Sequence, residues 1–68
     1  MSQKAYILVN KKELETEQFH DALRKLSSIG AFFFLNNINK HFQYWVFECE
    51  KVNKELLNEL GFDDYFVQ

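Results

Sequence analysis

Few residues in this chain are equipped for chemistry: two histidines, His20 and His41, one cysteine, Cys49, and ten carboxylates. His20 adjoins Asp21, with Glu17 and Arg24 a helical turn to either side. A general base needs a hydrogen-bonded partner and a pocket around its substrate. A polar helix face offers neither, so these four are read as surface residues. His41 follows Lys40 in a polar connection and is read as a turn or rim residue. Cys49 stands between Glu48 and Glu50, whose charges raise a thiol pKa rather than lower it, so it is expected to be buried and inert. Two histidines and one cysteine without close spacing make no zinc site. The two glycines, Gly30 and Gly61, both fall at helix ends, which leaves none for a phosphate-cradling loop. The expectation is a non-enzymatic chain with no catalytic residue, metal ligand or cofactor.

The elements that position these residues follow from apolar spacing. AYILV (5–9) is a short run of strand formers ended by Asn10-Lys11-Lys12. Alternation sets Ala5, Ile7 and Val9 on one face and Tyr6 and Leu8 on the other. Thr16 is a suitable N-cap, and Phe19, Ala22, Leu23, Leu26 and Ile29 then recur at three- and four-residue spacing, which predicts an amphipathic helix near 16–29. Gly30 is its expected stop, through a left-handed cap. AFFFL and HFQYWVFEC predict two strands joined by Asn36 to Lys40, a length common in hairpins. A second helix is predicted after Asn53, presenting Leu56, Leu57 and Leu60 inward and ending at Gly61, with Phe62 packing behind the cap. Tyr65, Phe66 and Val67 form a short last strand, placed at an edge by Asp63 and Asp64.

The order strand, helix, strand, strand, helix, strand predicts an α+β fold. Right-handed crossovers in two interleaved units give the ferredoxin-like split βαβ sandwich (β-α-β-β-α-β), a four-stranded antiparallel sheet with two helices on one face. The whole chain, residues 1–68, is expected to be one domain. At that size only roughly 60% of the unfolded surface is buried, and the 18% aromatic content substitutes for disulfides or a structural metal. A lone cysteine suits a reducing compartment, and MSQKAYILVN is too short in apolar residues for a signal peptide or membrane span. A cytoplasmic location and no membrane association are therefore expected. Residues 1–34 hold five Lys or Arg against four acids, and 35–68 hold three against six. That acidic C-terminal half lowers the expectation of duplex DNA binding and favours a basic protein partner.

Two helices cover one face of such a sheet, so the other face should be polar. Here it is not. If Gln43, Trp45, Phe47 and Cys49 point inward, then Phe42, Tyr44, Val46 and Glu48 point outward; the reverse register hides the rings no better. Five or six outward rings and aliphatics make a patch of several hundred Å², about the largest that soluble monomers carry. At about 25 cal/mol per Å² such a patch is costly to leave wet.

Lys40-His41-Phe42-Gln43-Tyr44-Trp45-Val46-Phe47 resembles the third-strand signature of RNA-recognition-motif domains, with Lys40, Phe42, Tyr44 and Phe47 matching and Tyr6 at the place of the first-strand aromatic. His41 and Gln43 stand at that signature's small positions and Trp45 at an aliphatic one. The resemblance implies that Phe42, Tyr44 and Tyr6 stack bases of single-stranded RNA or DNA. This is the alternative reading.

The preferred reading is a protein-binding module, a regulator or inhibitor with Tyr6, Phe42, Tyr44 and Val46 at the centre of its contact surface and Glu48, Glu50, Glu55, Glu59, Asp63 and Asp64 as an acidic rim. An aromatic centre with a charged margin divides affinity from steering in many interfaces. The partner is expected to be a protein, a basic one or a second copy pairing sheet to sheet. Seven Lys to one Arg, six Asn and no Pro suit an AT-rich genome, and a phage or mobile-element inhibitor of a host system is one form of this reading.

Overall fold

A computed structural model describes all residues, 1–68. The elements in chain order are β1 (Gln3–Asn10), a 3₁₀-helix (Lys11–Glu15), α1 (Glu17–Ser27), β2 (Ala31–Asn37), β3 (Phe42–Cys49), α2 (Lys54–Glu59) and β4 (Tyr65–Val67). The architecture is α+β: one four-stranded sheet in the order β2-β3-β1-β4, antiparallel throughout, with two α-helices.

Strand alternation decides which residues meet the helices. Ala5, Ile7 and Val9 of β1 and Phe47 and Cys49 of β3 are buried with Phe19, Ala22 and Leu26 of α1, Leu57 of α2, and the flanking Val52 and Phe62. Both helices therefore pack on this one face. Phe19 is the hub, with its ring edge-on to Phe32, Trp45 and Phe62 at centroid distances of 6.5, 6.0 and 6.3 Å. The half-buried Trp45 indole N–H donates to Gln43 Oε1 (3.0 Å), and Gln43 Nε2 donates to Asn37 Oδ1 (3.0 Å). That relay satisfies the one polar atom of a large ring in a mostly apolar layer.

Helix ends explain most of the boundaries. Thr16 caps α1 by accepting from the Phe19 N–H at 3.2 Å, and its own hydroxyl donates to the Glu13 carbonyl at 2.7 Å, which ties the 3₁₀-helix to α1. Asn53 caps α2 by accepting from the Leu56 N–H at 3.1 Å. After α2 the Gly61 N–H reaches the Asn58 carbonyl (3.1 Å), and the Phe62 N–H reaches the Leu57 carbonyl (2.9 Å), with Gly61 at φ +96°. This is the double-bonded left-handed cap, and Phe62 lands in the core as expected.

The end of α1 differs from the sequence expectation. The helix stops at Ser27, and Ile29 is 53% exposed instead of continuing the core stripe. Gly30 does not take a left-handed conformation; Gly61 alone has positive φ. Glycine is required at position 30 for closeness: a Cβ there would overlap the Glu48 carbonyl oxygen and sit 2.8 Å from both Cys49 Cβ and Phe47 Cζ. The 3₁₀-helix and two further residues of β2 also go beyond the sequence expectation. β2 runs on to Asn37 because a bulge at Leu35 resets its pairing, so that Asn36 faces Tyr44 and Asn37 faces Gln43.

Candidate partner-binding face

The second face of the sheet carries no helix. Cross-strand register builds it: Tyr6 pairs with Val46 and with Phe66, Leu8 with Tyr44, Asn10 with Phe42, Lys4 with Glu48, and Phe33 with Val46. Because directly paired residues share a face, Tyr6, Leu8, Phe33, Phe42, Tyr44 and Phe66 form one apolar surface crossing all four strands. Tyr6 and Phe66 stack at 4.9 Å with planes 10° apart, and Tyr44 meets Phe66 edge-on at 6.4 Å. Phe33 and Phe66 remain 43% and 48% exposed, while Tyr6, Leu8, Phe42 and Tyr44 are half-buried. The register is therefore the one with Gln43, Trp45, Phe47 and Cys49 turned to the helices.

Val46 lies on this face but cannot be touched by a partner. It is 3% exposed, flanked across the strands by Tyr6 and Phe33, and separate from the helix-side core. Its role is to support the rings. Phe33 and Phe66, which the sequence reading did not place in the contact surface, are its most exposed members. Their signal was available only through pairing, since Phe66 joins the patch by lying beside Tyr6.

The acids do not form one rim. Glu48, half-buried, ends β3 on the open face, paired in register with Lys4 and accepting from Ser2 Oγ at 3.1 Å. Glu50 follows it at the same end of the sheet. Asp63 and Asp64 lie at the other end, where the Asp64 carbonyl accepts from the Leu8 N–H at 2.9 Å. Glu55 and Glu59 are exposed on α2, in the helical layer on the far side of the sheet. Two acidic margins therefore flank the ring patch, and the α2 pair does not border it.

The remaining chemical groups stay apart. Asp21 pairs with Arg24 on the outer surface of α1, His20 is exposed beside the Phe19 ring, and His41 is exposed in the hairpin connection. No three His, Cys, Asp or Glu residues cluster as a metal site would require. A cleft of 210 Å³ between Glu13, Thr16, Gln18, Phe19, Leu60, Gly61 and Phe62 holds Glu13 as its one carboxylate. That is smaller than the roughly 300–1,000 Å³ of ligand pockets; two open depressions of 490 Å³, one along Lys51–Glu55 and one between Met1–Gln3, Glu50, Lys51 and Gln68, reach that size but each is lined by a single hydrophobic residue. Burial pushes the Cys49 thiol up, while a hydrogen bond from the Lys51 backbone pulls it down by less. Burial, not the flanking glutamates, is the cause. No helix is long and apolar enough to cross a membrane. Comparison with protein-family models, curated proteins and solved structures finds no match to the chain.

Proposed function

We propose that this protein acts by binding another protein through the helix-free face of its sheet, as a small non-enzymatic regulator or inhibitor. The observation carrying the proposal is the continuous apolar surface of Tyr6, Leu8, Phe33, Phe42, Tyr44 and Phe66, on the side of the sheet that its own helices leave uncovered. Half-buried rings already held by cross-strand neighbours lose little conformational freedom on docking, and aromatic residues dominate interface energetics for that reason. Glu48 and Glu50 at one margin and Asp63 and Asp64 at the other steer a basic partner. The strand order β2-β3-β1-β4, antiparallel at each pairing, supports the ferredoxin-like split βαβ arrangement, which leaves one sheet face free. A cytoplasmic setting fits the single reduced cysteine. An inhibitor of a host system, carried by a phage or mobile element, is the form of this reading that the Lys-rich, Asn-rich composition supports.

The test compares variants. Affinity capture from source cells, quantified for wild type, Tyr44→Ala, Phe66→Ala and Glu55→Ala, is expected to show one partner lost by at least tenfold with the two ring variants and retained with Glu55→Ala. Equal capture by all four, with circular dichroism unchanged, counts against this face.

A second reading has one observation in its favour: Tyr6, Phe42 and Tyr44, the rings of the RNA-recognition-motif resemblance, share this face. Against it, Phe66 occupies one side of the Tyr6 ring. Binding of a fluorescein-labelled single-stranded oligonucleotide at low salt, abolished by Phe42→Ala, would favour base stacking over a protein partner.

A further inference from the structure

We propose that β2 is a self-pairing edge, and that two copies of the chain join there, antiparallel about a two-fold axis, into one eight-stranded sheet. β2 is the outermost strand at its side of the sheet and spans seven residues. Alternate backbone N–H and C=O groups of an edge strand point away from the sheet, ready to pair. Natural edges are blunted by charge, by proline, by shortness or by a bulge. β2 has no charged residue and no proline from Leu26 to Asn39, and its bulge at Leu35 leaves Ala31 to Phe34 as a regular uncharged edge. Five of the seven exposed large hydrophobic residues, Ile29, Phe33, Phe34, Leu35 and Ile38, lie on it or at its ends.

The opposite edge decides what kind of assembly follows. β4 has three residues and is preceded by Asp63 and Asp64, so it is short and charged. Head-to-tail pairing of β2 with β4 of the next copy would therefore be a poor match, and an open filament is disfavoured. Pairing of β2 with itself closes after two copies. The edge carries no charge for a charged foreign partner to complement. A second copy brings matching rings without like-charge repulsion.

Register follows from the two faces. Residues opposite each other across the two-fold must share a face, and the bulge at Leu35 ends the regular stretch, so the pairing centres on Phe33 against Phe33 of the second copy. Phe32 then lies opposite Phe34 on the helix side. The five side chains are 47–53% exposed or, for Phe33 and Phe34, 43% and 46%. With whole aromatic side chains of about 150–250 Å², they offer on the order of 400 Å² of apolar surface per copy. For two copies that is about 800 Å², to which backbone pairing adds, the size of a weak, transient interface rather than of the roughly 1,200–2,000 Å² of stable ones. A reversible dimer in the micromolar range is the expected result. Phe33 is shared with the open-face patch, but Tyr6, Tyr44 and Phe66 stay uncovered, and the edge argument does not rest on the partner-binding reading.

Sedimentation velocity across a concentration series tests it, together with Phe34→Lys and the probes Phe33→Cys and Phe66→Cys, each made in a Cys49→Ala background so that it carries one thiol, under mild oxidation. The expected outcome is a monomer–dimer equilibrium that Phe34→Lys shifts at least tenfold toward monomer. Phe33→Cys should give a disulfide-linked dimer and Phe66→Cys should not, since Cβ atoms opposite each other come within about 4.5–5.5 Å. Strict monomer at hundreds of micromolar, cross-linking through Phe66→Cys in preference to Phe33→Cys, or growth beyond two copies would each overturn the proposal. Because Phe33→Cys keeps the strand uncharged, it decides the matter even if Phe34→Lys fails to fold.

Discussion

Gly30 and Gly61 look alike in the sequence, each closing a helix, but they are required for different reasons. At Gly61 the backbone sits at φ +96°, where a side chain costs roughly 1–2 kcal/mol. At Gly30 the backbone is ordinary and the space is missing, because a Cβ would overlap the Glu48 carbonyl oxygen of β3. Backbone cannot swing aside as a side chain can, so Gly30→Ala is expected to cost about 1–3 kcal/mol, the range for overpacking. Replacing Gly61 with Asn, which tolerates the left-handed region, should recover most of the loss seen with Gly61→Ala, whereas no residue with a Cβ should rescue position 30. Urea unfolding of the four proteins separates the two causes. Cys49 makes a further residue-scale prediction. Its thiol is raised by burial, so the folded state holds a proton that the unfolded state releases near pH 8.5. Stability is therefore full below that pH and falls as pH rises above it. In Cys49→Ser or Cys49→Ala this alkaline loss should be smaller, and thiol labelling of the native protein at pH 8 should proceed only as fast as the chain opens. A rate equal to that of a free thiol would contradict the burial.

The short elements depend on their caps to an unusual degree. α2 has six residues, too few for a helix to persist by itself, and it holds Leu57 in the core while Asn53 satisfies its first turn. Asn53→Ala is expected to cost about 1 kcal/mol. Thr16→Ala should cost as much or more, because Thr16 also donates to the Glu13 carbonyl. Thr16→Ser, which keeps both hydrogen bonds, should stay within about 0.5 kcal/mol of wild type. Thermal melts followed by circular dichroism give the comparison; equal effects of Ala and Ser at position 16 would remove the hydroxyl from the account. These caps were readable from residue type, as were the helices, since Thr16, Asn53, Gly61 and the leucine spacing are local signals. The features that escaped reading depend on distant chain. Gly30 meets β3, Val46 is hidden by Tyr6 and Phe33, the bulge at Leu35 is defined by its partners Trp45 and Tyr44, and the acids divide because β3 and β4 deliver them to opposite ends of the sheet. Alternation told which residues share a face. It could not tell which face the helices take, and the packing of Phe19, Ala22, Leu26 and Leu57 on Ala5, Ile7, Val9, Phe47 and Cys49 decides that.

At the scale of the whole molecule the sheet carries two apolar layers of unequal weight. The helix side holds the continuous core, and the open side holds Val46 under a skin of half-exposed rings. At roughly 0.05–0.15 kcal/mol per residue, a chain of this length has about 3–10 kcal/mol of stability in total. Phe47, 1% exposed on the helix side of β3 between Ala5 and Phe32, would cost about 3–5 kcal/mol on truncation to alanine, so Phe47→Ala is expected to be largely unfolded at 37 °C. Val46→Ala removes two buried methyl groups and should cost about 2 kcal/mol, although Val46 touches neither helix-side core nor solvent. Leu8→Ala and Tyr44→Ala, on the same open face but half-exposed, should each cost about 1 kcal/mol or less. The order Phe47, Val46, then Leu8 and Tyr44 in urea midpoints is what an inner layer, a buried support and an accessible skin require. If Tyr44→Ala or Leu8→Ala proved as damaging as Phe47→Ala, the rings would be holding the fold together, and the surface would have no spare apolar area to offer a partner.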